Sequence, residues 1–179
     1  MSRQDEIVAA FDEAHSDFVG LVRQLSPRQW QMVGVNHPEI RLGEDERRPV
    51  GVIAHHVAMS YGSLQKRCQA WIDGVAVEPP TGDVNERHAE ANPEPDQAAT
   101  ISLLETGAED LRSFVRGLSE SDLEARGQWF RGETTVAEMA GGTVPFHIGW
   151  HAGSIRATLA GGEASPQSDQ QGDQPSRGS

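Results

Sequence analysis

Pro145-Phe-His-Ile-Gly-Trp-His-Ala-Gly-Ser-Ile-Arg156 carries two histidines, His147 and His151, four residues apart. In a helix this spacing puts both imidazoles on one side, where both reach a single metal ion. His147, His151, Ser154 and Thr158 then form one polar line, and Phe146, Trp150 and Leu159 are left for packing. A polar line on a mostly apolar helix needs partners, because burying unpaired imidazoles costs free energy. Two ligands do not make a site, since a zinc-like centre needs at least three protein donors. The chain offers a third, His56, far upstream.

Working outward, the apolar residues fall into helical stripes. Ile7, Phe11, Ala14, Phe18, Val22 and Leu25 step by three and four and predict a first long helix over Ser2 to Leu25. Ser26-Pro27-Arg28-Gln29 reads as a capped start for a short helix carrying Trp30. The stretch Val33 to Arg48 lacks a sustained period and reads as a loop. Pro49 opens a second long helix with its stripe at Val50, Ile53, Val57, Tyr61, Leu64, Cys68 and Trp71, and Gly74 is placed to end it. Val75 to Pro95 is a polar crossover in which residues 85–90 suit a capped turn or two.

A third long helix is expected from about Asp96 to Leu118, on the stripe Ile101, Leu104, Ala108, Leu111, Val115 and Leu118. Ser119 starts another short segment. Thr134-Thr135 precedes a fourth helix running to about Ala160, which Gly141, Gly142 and Pro145 weaken and kink. No strand-like alternation is found. A weak internal repeat, in which Arg23-Gln-Leu25-Ser26 echoes Arg116-Gly-Leu118-Ser119 and Val50 to Ala54 echoes Val136 to Ala140, divides the chain into two similar halves. The expectation is an all-α four-helix bundle with a long crossover between its second and third helices, spanning residues 1–161. Residues 162–179 have only Ala164 as an apolar residue and are expected to be a disordered tail.

Composition narrows the functional classes. A chain of 179 residues buries a sufficient core without disulfides or a structural metal, so a metal here would serve chemistry more than folding. The formal charge of −12 argues against nucleic acid, whose affinity rests on Lys and Arg displacing counterions. No apolar run approaches a membrane span. The single Cys68 forms no internal bridge, and no charged-then-apolar leader opens the chain, so a cytoplasmic location is expected.

Helical phase sorts the histidines. With Val57 at the centre of its stripe and about 100° per residue, His56 lies at the stripe's flank with Ser60 and Ser63, while His55 points to the opposite, solvent side. His15, His37 and His88 are weaker candidates, with exposed or locally bonded readings favoured. Asn85 reads as an N-cap. Trp30, Trp71 and Trp129 read as packing residues, Trp129 also suiting the mouth of a cleft, and Cys68 reads as an inert core thiol.

Val50-Gly-Val-Ile-Ala-His-His56-Val-Ala resembles the second-helix motif of DinB-like proteins, and Phe146-His147-Ile-Gly-Trp-His151-Ala-Gly-Ser-Ile-Arg156 resembles their fourth-helix motif. The Leu-Ser-Pro turn after the first helix and the Asn-bearing crossover match in order, over about Ser2 to Gly161. The resemblance implies an up-down-down-up four-helix bundle, a homodimer, and a divalent zinc or nickel ion held by His56, His147 and His151. It also implies kinship with mycothiol- and bacillithiol-dependent transferases and isomerases. Ser154 stands where many members have Gln, and Gly141-Gly142 with Pro145 interrupts a helix that is commonly continuous.

Three neutral imidazoles leave an open position on an ion, the pattern of a catalytic site, and no acid on the fourth helix is spaced to act as general base. Ser60, Ser63 or Ser154 would orient the activated group. The leading expectation is a metal-dependent S-transferase or isomerase taking a low-molecular-weight thiol cosubstrate and a small electrophilic substrate. The alternatives are a non-catalytic metal-binding stress-response bundle acting as a dimer or partner-binding module, and a metal-dependent hydrolase.

Overall fold

The stripes read from the sequence are the buried faces of four long helices. In the computed structural model, which describes residues 1–37, 46–130 and 132–161, these are α1 (Arg3–Gln24), α3 (Val50–Ile72), α5 (Gln97–Gly117) and α8 (Val144–Gly161). Phe11, Phe18, Ile53, Tyr61, Leu104, Ile148 and Ile155 meet in one core. Reciprocal capping boxes start several helices: Ser2 with Asp5 for α1, and Ser26 with Gln29 for the short α2 (Pro27–Trp30). Each satisfies two amide donors the helix leaves orphaned, and losing such a cap costs roughly 1 kcal/mol. Gly74, at φ +72°, follows the end of α3 as expected.

The bundle's order is set by its contacts. Helix α1 packs on α5 and α8, and α3 packs on the same two, so α1 and α3 lie on a diagonal. Arg112 pairs with Asp12 at 2.6 Å, and Gln4 at the start of α1 bonds the Leu118 carbonyl at the end of α5, so α1 and α5 are antiparallel. Ion pairing of Arg156 with Asp17, and the approach of Gly141 to Ile7, make α1 and α8 parallel. Along α3 and α5, His55 shares a cleft with Thr100 and Tyr61 packs beside Gly107, so these two are also parallel. The result is the up-down-down-up arrangement.

The crossover contains α4 (Val84–Ala91). Asp83 occupies its cap position without a side-chain cap bond, and Asn85 lies inside the helix, so the sequence expectation of an Asn85 cap is corrected. After the short α6 (Glu120–Leu123) comes an antiparallel hairpin that the sequence pattern does not announce, β1 (Arg126–Trp129) paired with β2 (Gly132–Thr135). Its strands are four residues long and largely polar, too short to display alternation. Gly127 is needed where it sits, because a Cβ there would run into the Trp71 indole.

From Thr135, whose side chain forms a capping box with Glu138, the chain turns into α7 (Val136–Glu138), a π-helical turn (Met139–Thr143) and α8. The expected interruption at Gly141, Gly142 and Pro145 therefore takes the form of a wide turn. Proline supplies no amide hydrogen to the ladder, and a π turn adds a residue that rotates the rest of the helix by about 100°. His147 and His151 follow this turn on α8, in phase with each other through their four-residue spacing. The expected tail, residues 162–179, lies outside the described residues, and among the described residues no helix is long and apolar enough to cross a membrane.

His15 is a core residue, stacked on Phe11 and 3.1 Å from the Tyr61 hydroxyl. Burial, aided by Arg112, pulls its pKa from 6.5 down to about 4. The unfolded chain thus binds a proton that the folded one refuses between those values, so this contribution to stability is complete above pH 6.5 and is lost as pH falls toward 4. The melting temperature should fall between pH 7 and pH 5, and in His15→Gln, which keeps a polar partner for Tyr61, it should fall less steeply. Parallel pH profiles of the two proteins in thermal melts check this.

Candidate metal centre

Helices α3 and α8 bring the three histidines together. His56 Nε2 lies 3.2 Å from His147 Nε2, which lies 3.0 Å from His151 Nε2. The three ligand atoms form one group within 4.8 Å of each other, with His56 and His147 half-buried and His151 fully buried. Two nitrogens each about 2.0–2.1 Å from a tetrahedral zinc would stand about 3.3 Å apart. Nitrogens at this spacing are held together either by an N–H of one ring donated to the next or by a cation that takes all three lone pairs. The donor set therefore suits a divalent transition ion.

Electrostatics keep these rings in the form a ligand needs. Burial, then the neighbouring His147, His151, Arg48 and His88, holds His56 well below the ordinary imidazole pKa. His147 is held well below it by burial, then by His151 and Arg48. Both are neutral at pH 7. Trp150 stacks on the His151 ring with centroids 4.7 Å apart, fixing its plane.

The polar line of α8 finds its partners in the loop before α3. The chain segments 33–37 and 46–49 lie against each other, joined by a Val33–Pro49 bridge and by hydrogen bonds from Gly34 N to Arg48 O and from Val50 N to Met32 O. Val35 N donates to Thr158 Oγ1 at 3.0 Å, and the His37 ring sits so close to Gly153 that a Cβ there would collide with it. Between them Glu46 enters with no exposed side-chain surface, its Oε1 3.2 Å from His151 Nδ1 and 3.0 Å from Arg48 Nη2. The contact with His151 is at ion-pair distance, with its N–H direction short of full hydrogen-bond alignment. Burial opposes ionisation of Glu46, but His151 and Arg48 outweigh it and hold the carboxyl below its ordinary value.

Other sequence candidates fall elsewhere. His55, expected to face solvent, is instead partly covered by α4, with its Nδ1 3.0 Å from His88 Nε2. Helical phase gives its direction correctly, but the crossover helix fills that side. His88 also stands edge-on to His56, and burial, with His55 and Arg48, lowers its pKa to about 4. Ser60 and Ser63 spend their hydroxyls on Val57 and Met59 carbonyls of their own helix, whereas Ser154 is buried beside the site with no protein partner for Oγ. Trp129 lies in the hairpin against Phe130 and under Arg67. Phe146, read as a packing residue, is half exposed. Cys68 is a core thiol, pushed up to about 12 by burial.

Glu46 and Arg48 were missed in the sequence, and His88, one of its weaker candidates, stands beside the cluster. Glu46 stands in the acidic and basic run 44–48, where nothing local separates a buried carboxylate from solvated ones.

No sequence-family model matches the chain, and no curated protein matches it by sequence. Two solved structures share its fold. One is YfiT from Bacillus subtilis, described as a probable metal-dependent hydrolase with an unusual four-helix bundle topology, with a TM-score of 0.69 and 15% identity over 89% of each chain. The other is a mycothiol-dependent maleylpyruvate isomerase, with a TM-score of 0.66 and 14% identity over 85% of this chain and 60% of that one. The chain has the DinB-like helical bundle fold that its two histidine motifs resemble.

Proposed function

We propose that the chain is a divalent-metal-dependent enzyme in which Nε2 atoms of His56, His147 and His151 hold zinc or nickel, and that it carries out thiol-dependent transfer or isomerisation on a small electrophilic molecule. The observation that carries this reading is the convergence of three imidazole nitrogens at 3.0 and 3.2 Å. When bound, the ion supplies the positive charge that draws a proton from a thiol or water at neutral pH.

The chain's own residues divide the remaining work. His151 is the fully buried member of the cluster, and His56 and His147 are half-buried. The His55–His88 pair walls the outer side of His56. Water, with a pKa of about 15.7, needs more help from a base than a thiol ionising near 8.5. The carboxylate that touches the cluster, Glu46, is already engaged by Arg48 and His151, which favours the thiol as nucleophile. Likeness to the isomerase supports the same choice. Metal-dependent hydrolysis is the second reading, favoured by the likeness to YfiT over 89% of both chains.

Elemental analysis should find about one transition-metal ion per chain, lost in His56→Ala, His147→Ala and His151→Ala and retained in His55→Ala; retention in all three ligand variants contradicts the site. Zinc- or nickel-loaded protein should consume mycothiol, bacillithiol, glutathione or cysteine in the presence of a haloarene, an epoxide or a cis-unsaturated diacid, and His151→Ala should not. If no thiol is consumed and no thiol perturbs the visible spectrum of the cobalt-substituted protein, the thiol reading is dropped. Turnover of esters or amides by the same preparation would then establish the hydrolase, and its absence a metal-binding bundle without catalysis.

A further inference from the structure

We infer that Glu46 is the positioning residue of the centre: its carboxylate fixes the His151 ring with the proton on Nδ1 and the lone pair of Nε2 directed at His56 and His147. This rests on the metal-centre reading above and names what orients the site.

A neutral imidazole has one N–H, and the partner of one nitrogen decides which nitrogen carries it. Glu46 Oε1, 3.2 Å from His151 Nδ1, is an ionised acceptor with no hydrogen to give. The opposite tautomer would set a nitrogen lone pair against a carboxylate oxygen in a fully buried space, and it would take from Nε2 the lone pair that a metal needs. Even without full alignment the contact therefore selects one tautomer. His147 has no such support, since its Nδ1 is buried with no protein partner. His151 is the ligand whose ring is held from behind, by Glu46, and from its face, by Trp150.

Glu46 is itself held on three sides. Its amide donates to Asn36 Oδ1 at 2.8 Å, its Oε1 accepts from Arg48 Nη2, and the segment bearing it is stitched to 33–37, which Thr158 and Gly153 seat on α8. Arg48 balances the buried negative charge, without which an isolated carboxylate would not stay ionised there. Partners of this kind behind a ligating histidine set its orientation and basicity, and their loss typically weakens metal binding about 10- to 100-fold.

The test uses the full chain with zinc alone as the probe, measured by competition with a chromophoric chelator, together with 15N spectra of the His151 ring recorded before zinc is added. Glu46→Gln leaves Arg48 buried without its counter-charge, so the paired variant Glu46→Gln/Arg48→Met is measured beside it. Ser2→Ala, which removes the cap of α1 and lowers stability away from the site, serves as the control. Expected are at least a tenfold loss of zinc affinity in both Glu46 variants, a shift of His151 from the Nδ1–H form toward a mixture, and affinity within threefold of wild type in Ser2→Ala despite a lower melting temperature. Unchanged tautomer and affinity in the Glu46 variants overturn the inference. So does a loss in Ser2→Ala as large as in Glu46→Gln, which would make lowered stability the cause. If wild type binds no zinc while the tautomer still depends on Glu46, the positioning role stands and the metal reading falls. If zinc binds and the tautomer ignores Glu46, the reverse holds.

Discussion

The structure depends on one crossing, where α3 meets α8 and three imidazole nitrogens from two helices are forced within 4.8 Å of one another. His56 reaches it from α3 and His147 and His151 from successive turns of α8. Such a cluster is costly as a piece of core, because each ring is a polar group removed from water and only one proton can serve any nitrogen pair. The up-down-down-up order brings these two helices together as neighbours, while α1 and α3 occupy a diagonal. The apolar stripes on either side then hold the crossing rigid.

Placing histidines on a packed helix creates a second demand, which the loop before α3 meets. Below His151 the polar line continues through Ser154 and Thr158, all buried. Segments 33–37 and 46–49 cover this line, pairing Val35 with Thr158, fitting His37 over Gly153 and bringing Glu46 to His151. A substitution in this loop is therefore not a surface change. Its effects pass to the ligand set through the backbone bonds that join the two segments.

The helices were legible because their signals are local. The steps of three and four that define the stripe from Ile7 to Val22 depend only on neighbours in the same helix, as do the capping pairs Ser26–Gln29 and Ser2–Asp5. The cluster of three histidines was legible for the same reason: a spacing of four residues fixes His147 against His151, and phase relative to Val57 selects His56 over His55. The features that escaped are decided by distant parts of the chain. Glu46 is buried because α8 offers it a histidine more than 100 positions later, and His55 is covered because α4 returns over it. The hairpin escaped through brevity, since two four-residue strands hold too little pattern to read.

One ion bound by three imidazoles is the claim on which the site stands or falls. X-ray absorption at the zinc edge of the loaded protein measures this directly, because histidine rings give a distinctive outer-shell scattering pattern. The expected spectrum has three imidazole nitrogens at about 2.0–2.1 Å with a further light donor completing the shell, falling to two imidazoles in any His56→Ala protein that still holds zinc. A spectrum with one imidazole or none, or with oxygen donors alone, would contradict it.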